Sequence, residues 1–186
     1  VLPHTGGVRP RSGVVGIANP ILGDHIALTN AHWAFSTSAL RDALGLESLR
    51  FLNDFTVLAL SLPGLPASDL VQVGGTEPMP DKAKALLGAG TGLGVSGLVP
   101  VPGTGRWVPL EGEGGHVTLP ATTARERLVM DGLIRRYGHA SAERVACGQG
   151  LLDTCLLLCE ADGVGVDAFR GAADVTDAAL KAGHPQ

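Results

Sequence analysis

The segment over residues 49–62 most constrains what this chain can fold into. Residues 49–52 predict a strand, and the apolar run over 55–62 predicts a buried helix that stops at the following Pro-Gly pair. Asn53 and Asp54 separate the two elements, so they lie at the carboxyl end of the strand. In α/β sheets this edge binds ligands. The sequence therefore predicts an α/β fold with a candidate site at this polar pair.

Asp54 has two interpretations at this position. A carboxylate at the end of a strand can accept a proton from a substrate hydroxyl. The same position also suits the N-cap of the following helix. On these residues alone, the cap is the favoured interpretation.

The rest of the chain predicts short elements joined by tight turns, because it contains 27 glycines and 12 prolines. A loop-rich stretch over 65–81 indicates a boundary between two lobes near residues 63–66.

The N-terminal predictions are a buried strand over 13–18, a strand over 26–28, apolar anchors at Trp33 and Phe35, and a helix from the cap Ser36 to Leu44 that Gly45 ends. The C-terminal predictions are strands over 84–87, 95–101 and 107–109, a helix from the Thr123–Glu126 capping box to Tyr137, a short helix from Ser141 to Glu143, and helices over 150–160 and 176–182.

Charge and hydropathy exclude several classes of protein. The net charge is −4, the pI is about 5.8 and no basic stripe is present, so we predict no nucleic-acid partner. The sequence contains no run of about 18 apolar residues, so we predict no membrane span. Residues 1–13 lack the continuous apolar stretch of a signal peptide.

The three cysteines indicate free thiols in a reducing compartment, because an odd number cannot pair completely. We therefore predict a cytoplasmic protein. Cys155 and Cys159 lie four residues apart in an apolar run, where they are either half of a metal site or small buried side chains of a helix. The second interpretation is favoured because no His or Cys follows at ligand spacing, and we predict no metal ligand from the protein.

A glycine-rich turn lies between two predicted strands, with glycines at every second position from Gly88 to Gly94. Neither the dinucleotide-binding spacing nor the Walker A pattern fits, since a strand follows and no Lys-Ser/Thr pair is present. The bare backbone amides and the Thr91 hydroxyl could approach an anion closely. A plain hairpin explains the same residues equally well.

Glu113 and His116 are separated by two glycines in the segment Glu-Gly-Glu-Gly-Gly-His over 111–116. A carboxylate and an imidazole on an open loop can form paired hydrogen bonds to the neighbouring hydroxyls of a polyol. The alternative is a solvated loop. Downstream, the Ser-Ala-Glu-Arg segment over 141–144 is explained by itself as a capped helix with a charged first turn.

Taken together and in order, these motifs resemble bacterial glucokinase. The resemblance extends from about Val14 to at least Leu152. It is carried by Asn-Asp-Phe-Thr at 53–56, Gly-Ala-Gly-Thr-Gly-Leu-Gly at 88–94, Glu-Gly-Glu-Gly-Gly-His at 111–116 and Ser-Ala-Glu-Arg-Val at 141–145, with support from Ala-Asn-Pro-Ile-Leu-Gly-Asp at 18–24 and Trp-Ala-Phe at 33–35.

The resemblance implies the ribonuclease-H-like architecture of the actin/hexokinase superfamily, in which two α/β lobes close over a cleft. It makes residues 1–64 part of the small lobe and 65–186 the first half of the large lobe. It also implies transfer of the ATP γ-phosphoryl group to the 6-hydroxyl of D-glucose, with Mg²⁺ bound through the ATP phosphates. A homodimer is left open.

The resemblance also implies roles for individual residues. Asp54 corresponds to the base that takes the proton of the 6-hydroxyl. The residues that correspond to sugar ligands are Asn53, Glu113, His116 and Glu143. Those that correspond to the turn at the ATP phosphates are Gly88, Gly90, Thr91 and Gly92.

One departure from the family pattern concerns the N-terminus. The family opens with a strand and Asp-x-Gly-Gly-Thr, whereas here Thr5-Gly6-Gly7 has the wrong order and no strand precedes it. We therefore expect no match to the family before Val14, and a fold that is incomplete at both ends. The chain is predicted to be a fragment with little or no activity alone.

Three alternatives remain at this stage. The first is a sugar-responsive regulator on the same scaffold, against which the intact Asp54 and the glycine turn argue. The second is a kinase for another hexose, because the sugar-binding residues do not fix the epimer. The third is an inactive excerpt whose exposed apolar edges favour self-association.

Overall fold

The computed structural model describes residues 9–28, 32–167 and 169–181. Strands and helices are mixed along the chain, which confirms the predicted α/β class. The strands are β1 Ser12–Ile17, β2 His25–Ala27, β3 Ala34–Ser36, β4 Ser48–Asn53, β5 Lys84–Ala89, β6 Leu93–Val101 and β7 Arg106–Leu110. The α-helices are α1 Thr37–Leu44, α2 Asp54–Ser61, α3 Ala124–Tyr137, α4 Gly148–Asp162 and α5 Ala172–Lys181.

The described chain divides into two compact units. One comprises the described residues up to 85 together with 96–111, and the other comprises 86–95 and the described residues from 112 onward. The assignment of 1–64 and 65–186 to two lobes of a larger protein stays a prediction. The Thr5-Gly6-Gly7 segment lies outside the described residues.

In the first unit, β1 and β4 run parallel and in register from Ser12 opposite Ser48 to Ile17 opposite Asn53. Both strands therefore end at the same edge, and α2 begins at the next residue, Asp54. The predicted order of strand, polar pair and helix is confirmed. A second sheet consists of β2 and β3, which pair antiparallel, and the ring of Phe35 lies 5.2 Å from the ring of Phe51 on β4.

Helix α1 has the ends that the sequence predicts. The Ser36 hydroxyl accepts a hydrogen bond from the Ala39 amide over 3.1 Å, and Gly45 ends the helix with φ of 65°. Asp24 on the preceding loop accepts hydrogen bonds from the Ser36 and Thr37 hydroxyls. This carboxylate therefore fastens the β2–β3 hairpin to the first turn of α1.

Three expectations about burial are wrong. Strand β1 was expected to be buried, but the exposed fraction of Val14 is 63%. Helix α2 buries only Thr56 and Ala59 among its described side chains, and Leu58 is 47% exposed. Among the described strands β1 pairs with β4 alone, so its other edge has no strand neighbour there. Trp33, expected to anchor the core, is 71% exposed.

The three-stranded sheet has the order β5–β6–β7. Its last two strands pair antiparallel, from Gly97 opposite Leu110 to Val101 opposite Arg106. The two strands expected around the glycine turn and the third strand after them are confirmed.

In the second unit, α3 opens with the predicted capping box, in which Thr123 and Glu126 bond to one another's backbone amides. Helix α4 begins earlier than expected, with Cys147 as its N-cap, and α5 occupies residues 172–181. The larger apolar clusters of this unit are Val129, Met130, Leu133 and Ala140, and Leu152, Cys155, Cys159 and Val175.

Cys155 and Cys159 are buried on α4 with their sulfurs 3.9 Å apart, as the packing interpretation predicts. Burial, with a smaller contribution from the hydrogen bond to Cys159, raises the pKa of the Cys155 thiol to about 11. Within the described ranges, no three His, Cys, Asp or Glu side chains cluster in a way that could hold a metal ion. No helix in the same ranges is long and apolar enough to cross a membrane.

Candidate functional site

The two polar residues at the end of β4 have different structural roles. Asn53 is the N-cap of α2, because its Oδ1 accepts hydrogen bonds from the amides of Phe55 and Thr56 over 2.9 and 3.3 Å. Asp54 is the first helical residue, and its Oδ1 also accepts from the Phe55 amide over 2.9 Å. The interpretation of Asp54 as the cap is therefore wrong, since Asn53 has that role.

The Asp54 carboxylate is exposed. In the described part of the chain it has no ion-pair partner, and only its Oδ1 accepts a hydrogen bond. Its second oxygen is therefore available to a ligand. This pair belongs to the first unit, and every other predicted site residue belongs to the second.

The glycine turn of the second unit is closed by its own backbone. The Gly90 amide donates to the Gly92 carbonyl over 2.8 Å, and the Gly148 amide at the start of α4 donates to the Gly90 carbonyl over 3.0 Å. Within the described residues, the amides of Thr91 and Gly92 have no hydrogen-bond partner. The turn thus presents two adjacent N–H donors and one exposed hydroxyl, as an anion site requires.

Glu143 lies directly against this turn. Its Oε2 accepts a hydrogen bond from the Leu93 amide over 3.0 Å. A β-carbon placed on Gly92 would lie 2.5 Å from the same oxygen. The close approach of this carboxylate therefore requires a glycine at position 92.

Glu143 also contacts the second predicted motif. Its Oε1 lies 3.6 Å from Nε2 of His116, which ends a short 3₁₀ turn over Gly114–His116. Glu113 precedes this turn, and its carbonyl accepts from the His116 amide over 3.0 Å. The structure thus brings together Gly92, His116 and Glu143.

The segment that carries Glu143 is a turn, so the predicted short helix from Ser141 to Glu143 is wrong. The amides of Ala142 and Glu143 donate to the carbonyls of Val117 and Gly115 over 2.9 and 2.8 Å. These partners lie in a separate segment of the chain. Local bonds from the amides of residues 144–146 to the carbonyls of Ser141 and Ala142 close one turn, which does not continue as a helix. The Ser141 hydroxyl does accept from the Arg144 amide, over 3.3 Å, as a cap would.

Three further glycines allow the segments around this site to pack closely, a role that was not predicted from the sequence. A β-carbon on Gly114 would lie 2.7 Å from Val95 Cγ1, and one on Gly115 would collide with the Leu93 carbonyl. A β-carbon on Gly150 would lie 2.6 Å from the Arg144 carbonyl oxygen. Their spacing carries no signal, because each contact joins segments distant in the sequence.

The family model described as Glucokinase matches residues 2–186 of the chain. The chain belongs to the glucokinase family. This confirms the resemblance that the motifs indicate and corrects its extent. We expected no match before Val14, whereas the family match begins at residue 2. The short N-terminal stretch contains no family motif, so inspection of motifs alone could not detect it.

Named relatives agree with the family match. A glucokinase from Cupriavidus metallidurans is 44% identical over 185 residues, which cover 100% of this chain and 54% of the relative. The chain spans about half the length of the curated relatives it matches.

Solved structures share the fold of this chain over most of its length. The crystal structure of a glucokinase from an Antarctic psychrotroph is similar with a TM-score of 0.83 and 26% identity, over 98% of this chain and 56% of that one. A glucokinase from Balamuthia mandrillaris in complex with glucose is similar in fold, with a TM-score of 0.70 and 20% identity over 91% of this chain and 53% of that one. The predicted fold class is thereby confirmed.

Proposed function

We propose that this chain, completed to the length of its relatives, phosphorylates D-glucose at the 6-hydroxyl with ATP and releases glucose 6-phosphate and ADP. The observation that carries the proposal is the position of Glu143, whose two carboxylate oxygens contact the Leu93 amide beside the glycine turn and the His116 imidazole. One carboxylate thus joins a candidate phosphate-binding turn to a candidate sugar-binding segment. A sugar kinase needs both a phosphate-binding turn and a sugar-binding segment.

We assign sugar binding to Glu113, His116 and Glu143, with Asn53 as a further ligand. Carboxylates accept hydrogen bonds from sugar hydroxyls, and an imidazole can donate or accept. The Oδ1 of Asn53 is occupied by two amides of α2, so its side-chain NH₂ is the group that remains to donate. Such fixed polar groups discriminate between sugars, because a mismatched hydroxyl leaves them unpaired.

We assign ATP binding to the turn that contains Gly88, Gly90, Thr91 and Gly92. Within the described residues the amides of Thr91 and Gly92 have no partner, so they can donate to phosphate oxygens, and a β-carbon on Gly90 would meet no atom within 4 Å. These residues therefore fit a phosphate group. Mg²⁺ would arrive on the ATP phosphates, since the described residues offer no cluster of ligands for it.

We assign Asp54 as the general base. Phosphoryl transfer depends on positioning and charge stabilisation, and the protein contributes by orienting the attacking hydroxyl and accepting its proton. The sugar oxygen forms the new P–O bond, the bond from the γ-phosphorus to the leaving ADP oxygen breaks, and the hydroxyl proton passes to the free carboxylate oxygen of Asp54. Its carboxylate is exposed and has no cationic partner among the described residues, which supports this role.

The proposal also covers the cellular compartment and the activity of the isolated chain. We place it in the cytoplasm, which the three free cysteines support, because a reducing compartment keeps thiols unpaired. We also propose that the 186-residue chain has little or no activity alone, because its relatives are about twice as long.

A coupled assay for glucose 6-phosphate tests these statements. The completed protein should turn over D-glucose only with ATP, and the isolated chain should show little or none of that rate. A panel of hexoses, including mannose and N-acetylated amino sugars, would reveal a kinase for another sugar as a higher kcat/KM. Sugar binding without ATP turnover in the completed protein would instead favour a sugar-responsive regulator.

A further inference from the structure

A buried carboxylate joins α3 to α4 close to the Glu143 turn. Asp153 on α4 is only 2% exposed. One of its oxygens accepts from the Tyr137 hydroxyl over 2.6 Å, and the other accepts from Arg136 and Gln149 over 2.5 and 3.0 Å. A buried carboxylate with three satisfied donors is a rigid anchor, since any displacement would leave charge unpaired in a medium of low dielectric.

Tyr137, the last residue of α3, is held at both its hydroxyl and its ring. The hydrogen bond to Asp153, followed by burial, raises the pKa of Tyr137, so the hydroxyl remains a donor at neutral pH. The guanidinium carbon of Arg144 lies 4.0 Å from the centroid of the tyrosine ring. A guanidinium over an aromatic face is attracted by the ring quadrupole. The ring therefore restrains an arginine that is otherwise exposed.

Arg144 directly follows Glu143, so one planar peptide bond connects the two residues. The Glu143 amide is fixed to the Gly115 carbonyl, and its carboxylate accepts from the Leu93 amide. A rotation of this peptide that takes the carboxylate away from Leu93 would also move Arg144 off the tyrosine ring. The two contacts are therefore coupled.

We propose that Tyr137 is a positioning residue for Glu143. Anchored by Asp153, it holds Arg144 and thereby keeps the Glu143 carboxylate on the Leu93 amide, ready to meet a sugar hydroxyl. The significance of this for sugar recognition rests on the proposed function. The positioning itself is a property of the chain and can be measured without sugar or ATP.

Hydrogen exchange of the Leu93 amide, followed by NMR on the labelled chain, tests the proposal. Glu143→Ala removes the acceptor and sets the rate for a broken bond. Tyr137→Leu should raise the exchange rate of Leu93 by about fivefold, because the ring that holds Arg144 is lost. Tyr137→Phe keeps the ring but loses the hydrogen bond to Asp153, so its exchange rate should lie between those of wild type and Tyr137→Leu. In the Glu143→Ala background, Tyr137→Leu should add nothing.

Arg144→Ala tests the same link from the exposed side, so the proposal remains testable if Tyr137→Leu fails to fold. It should raise the Leu93 exchange rate by about threefold, whereas the matched loss of an exposed arginine on α3, Arg135→Ala, should not. Unchanged Leu93 exchange in both Tyr137→Leu and Arg144→Ala would overturn the proposal. The proposal would also be overturned if Tyr137→Leu raised the Leu93 exchange rate equally with and without Glu143, because Tyr137 would then act by another route.

Discussion

Gly92 and Glu143 are far apart in the sequence and in contact in the structure, since a β-carbon on Gly92 would lie 2.5 Å from Oε2 of Glu143. Gly92, in the turn that we propose for phosphate binding, thus also leaves room for the carboxylate that we propose for sugar binding. The same carboxylate holds the Leu93 amide and lies 3.6 Å from His116. The geometry of the turn and the orientation of Glu143 therefore depend on one another.

Gly92→Ala should displace the Glu143 carboxylate and weaken sugar binding. We expect the KM for D-glucose to rise by about tenfold, because small displacements of a binding group are costly. Steady-state kinetics of the completed protein measure it. Gly112→Ala is the matched control, since a β-carbon there would meet no atom within 4 Å. Equal KM values for the two variants would refute the dependence on this contact.

Gly150→Ala should destabilise the chain by about 2 kcal/mol through overpacking. Its β-carbon would lie 2.6 and 2.7 Å from the carbonyl oxygen and carbon of Arg144, and these backbone atoms cannot rotate aside. Urea unfolding of the chain measures the loss. Gly148→Ala, two positions earlier at the start of α4, would place its β-carbon no closer than 3.7 Å to any atom of another segment and should cost much less. Equal losses would show that the approach to Arg144 is not what constrains Gly150.

Asp24 should make stability depend on pH in the acid range. Hydrogen bonds from the Ser36 hydroxyl, the Thr37 hydroxyl and the Ser38 amide hold the pKa of Asp24 well below its ordinary value. A carboxyl with a lowered folded-state pKa stabilises the fold above its unfolded pKa of about 4, and this contribution is lost as the pH falls below that value.

The measurement is the melting temperature of wild type and Asp24→Asn by circular dichroism between about pH 7 and pH 2. The variant should melt lower at pH 7, and the two curves should approach one another as the pH falls, because the unfolded wild-type chain takes up a proton at Asp24 before the folded chain does. A difference in melting temperature that is the same at every pH would contradict this account.

The isolated chain should self-associate. Strand β1 pairs with one neighbour among the described strands, and Val14 and Leu58 remain largely exposed. Unpaired strand edges and apolar faces favour association. Light scattering at increasing concentration should show a rising mass, and Val14→Lys with Leu58→Lys should reduce it. A clean monomer of wild type across that range would contradict the prediction.

Features set by neighbouring residues in the sequence could be predicted. Ser36 and Gly45 bound α1, and Thr123 with Glu126 opens α3, because capping bonds join residues only a few positions apart. The polar pair at the end of β4 was predicted in the same way, from the local order of strand, polar residues and helix. Asn53 rather than Asp54 supplies the cap, a detail that depends on which side chain reaches the amides of the first turn.

Features set by distant residues could not be predicted. The segment expected to be a helix over 141–143 is a turn, and two of its amides bond to carbonyls at positions 115 and 117, which the local sequence does not indicate. Burial of β1 and α2 was expected from their apolar side chains, yet burial requires a neighbouring element to cover them. The site itself was predicted as separate motifs, and only the fold brings Gly92, His116 and Glu143 into contact.

The role of Asp54 as the base is the central claim, and the turnover of Asp54→Asn tests it most directly. In the completed protein, the account predicts that kcat for glucose phosphorylation falls by about a thousandfold, because the amide cannot accept the hydroxyl proton. The KM for D-glucose should change little, and Asp69→Asn, at another exposed aspartate of the same unit, should keep the wild-type kcat. An Asp54→Asn variant that retains kcat within about twofold of wild type would contradict the assignment.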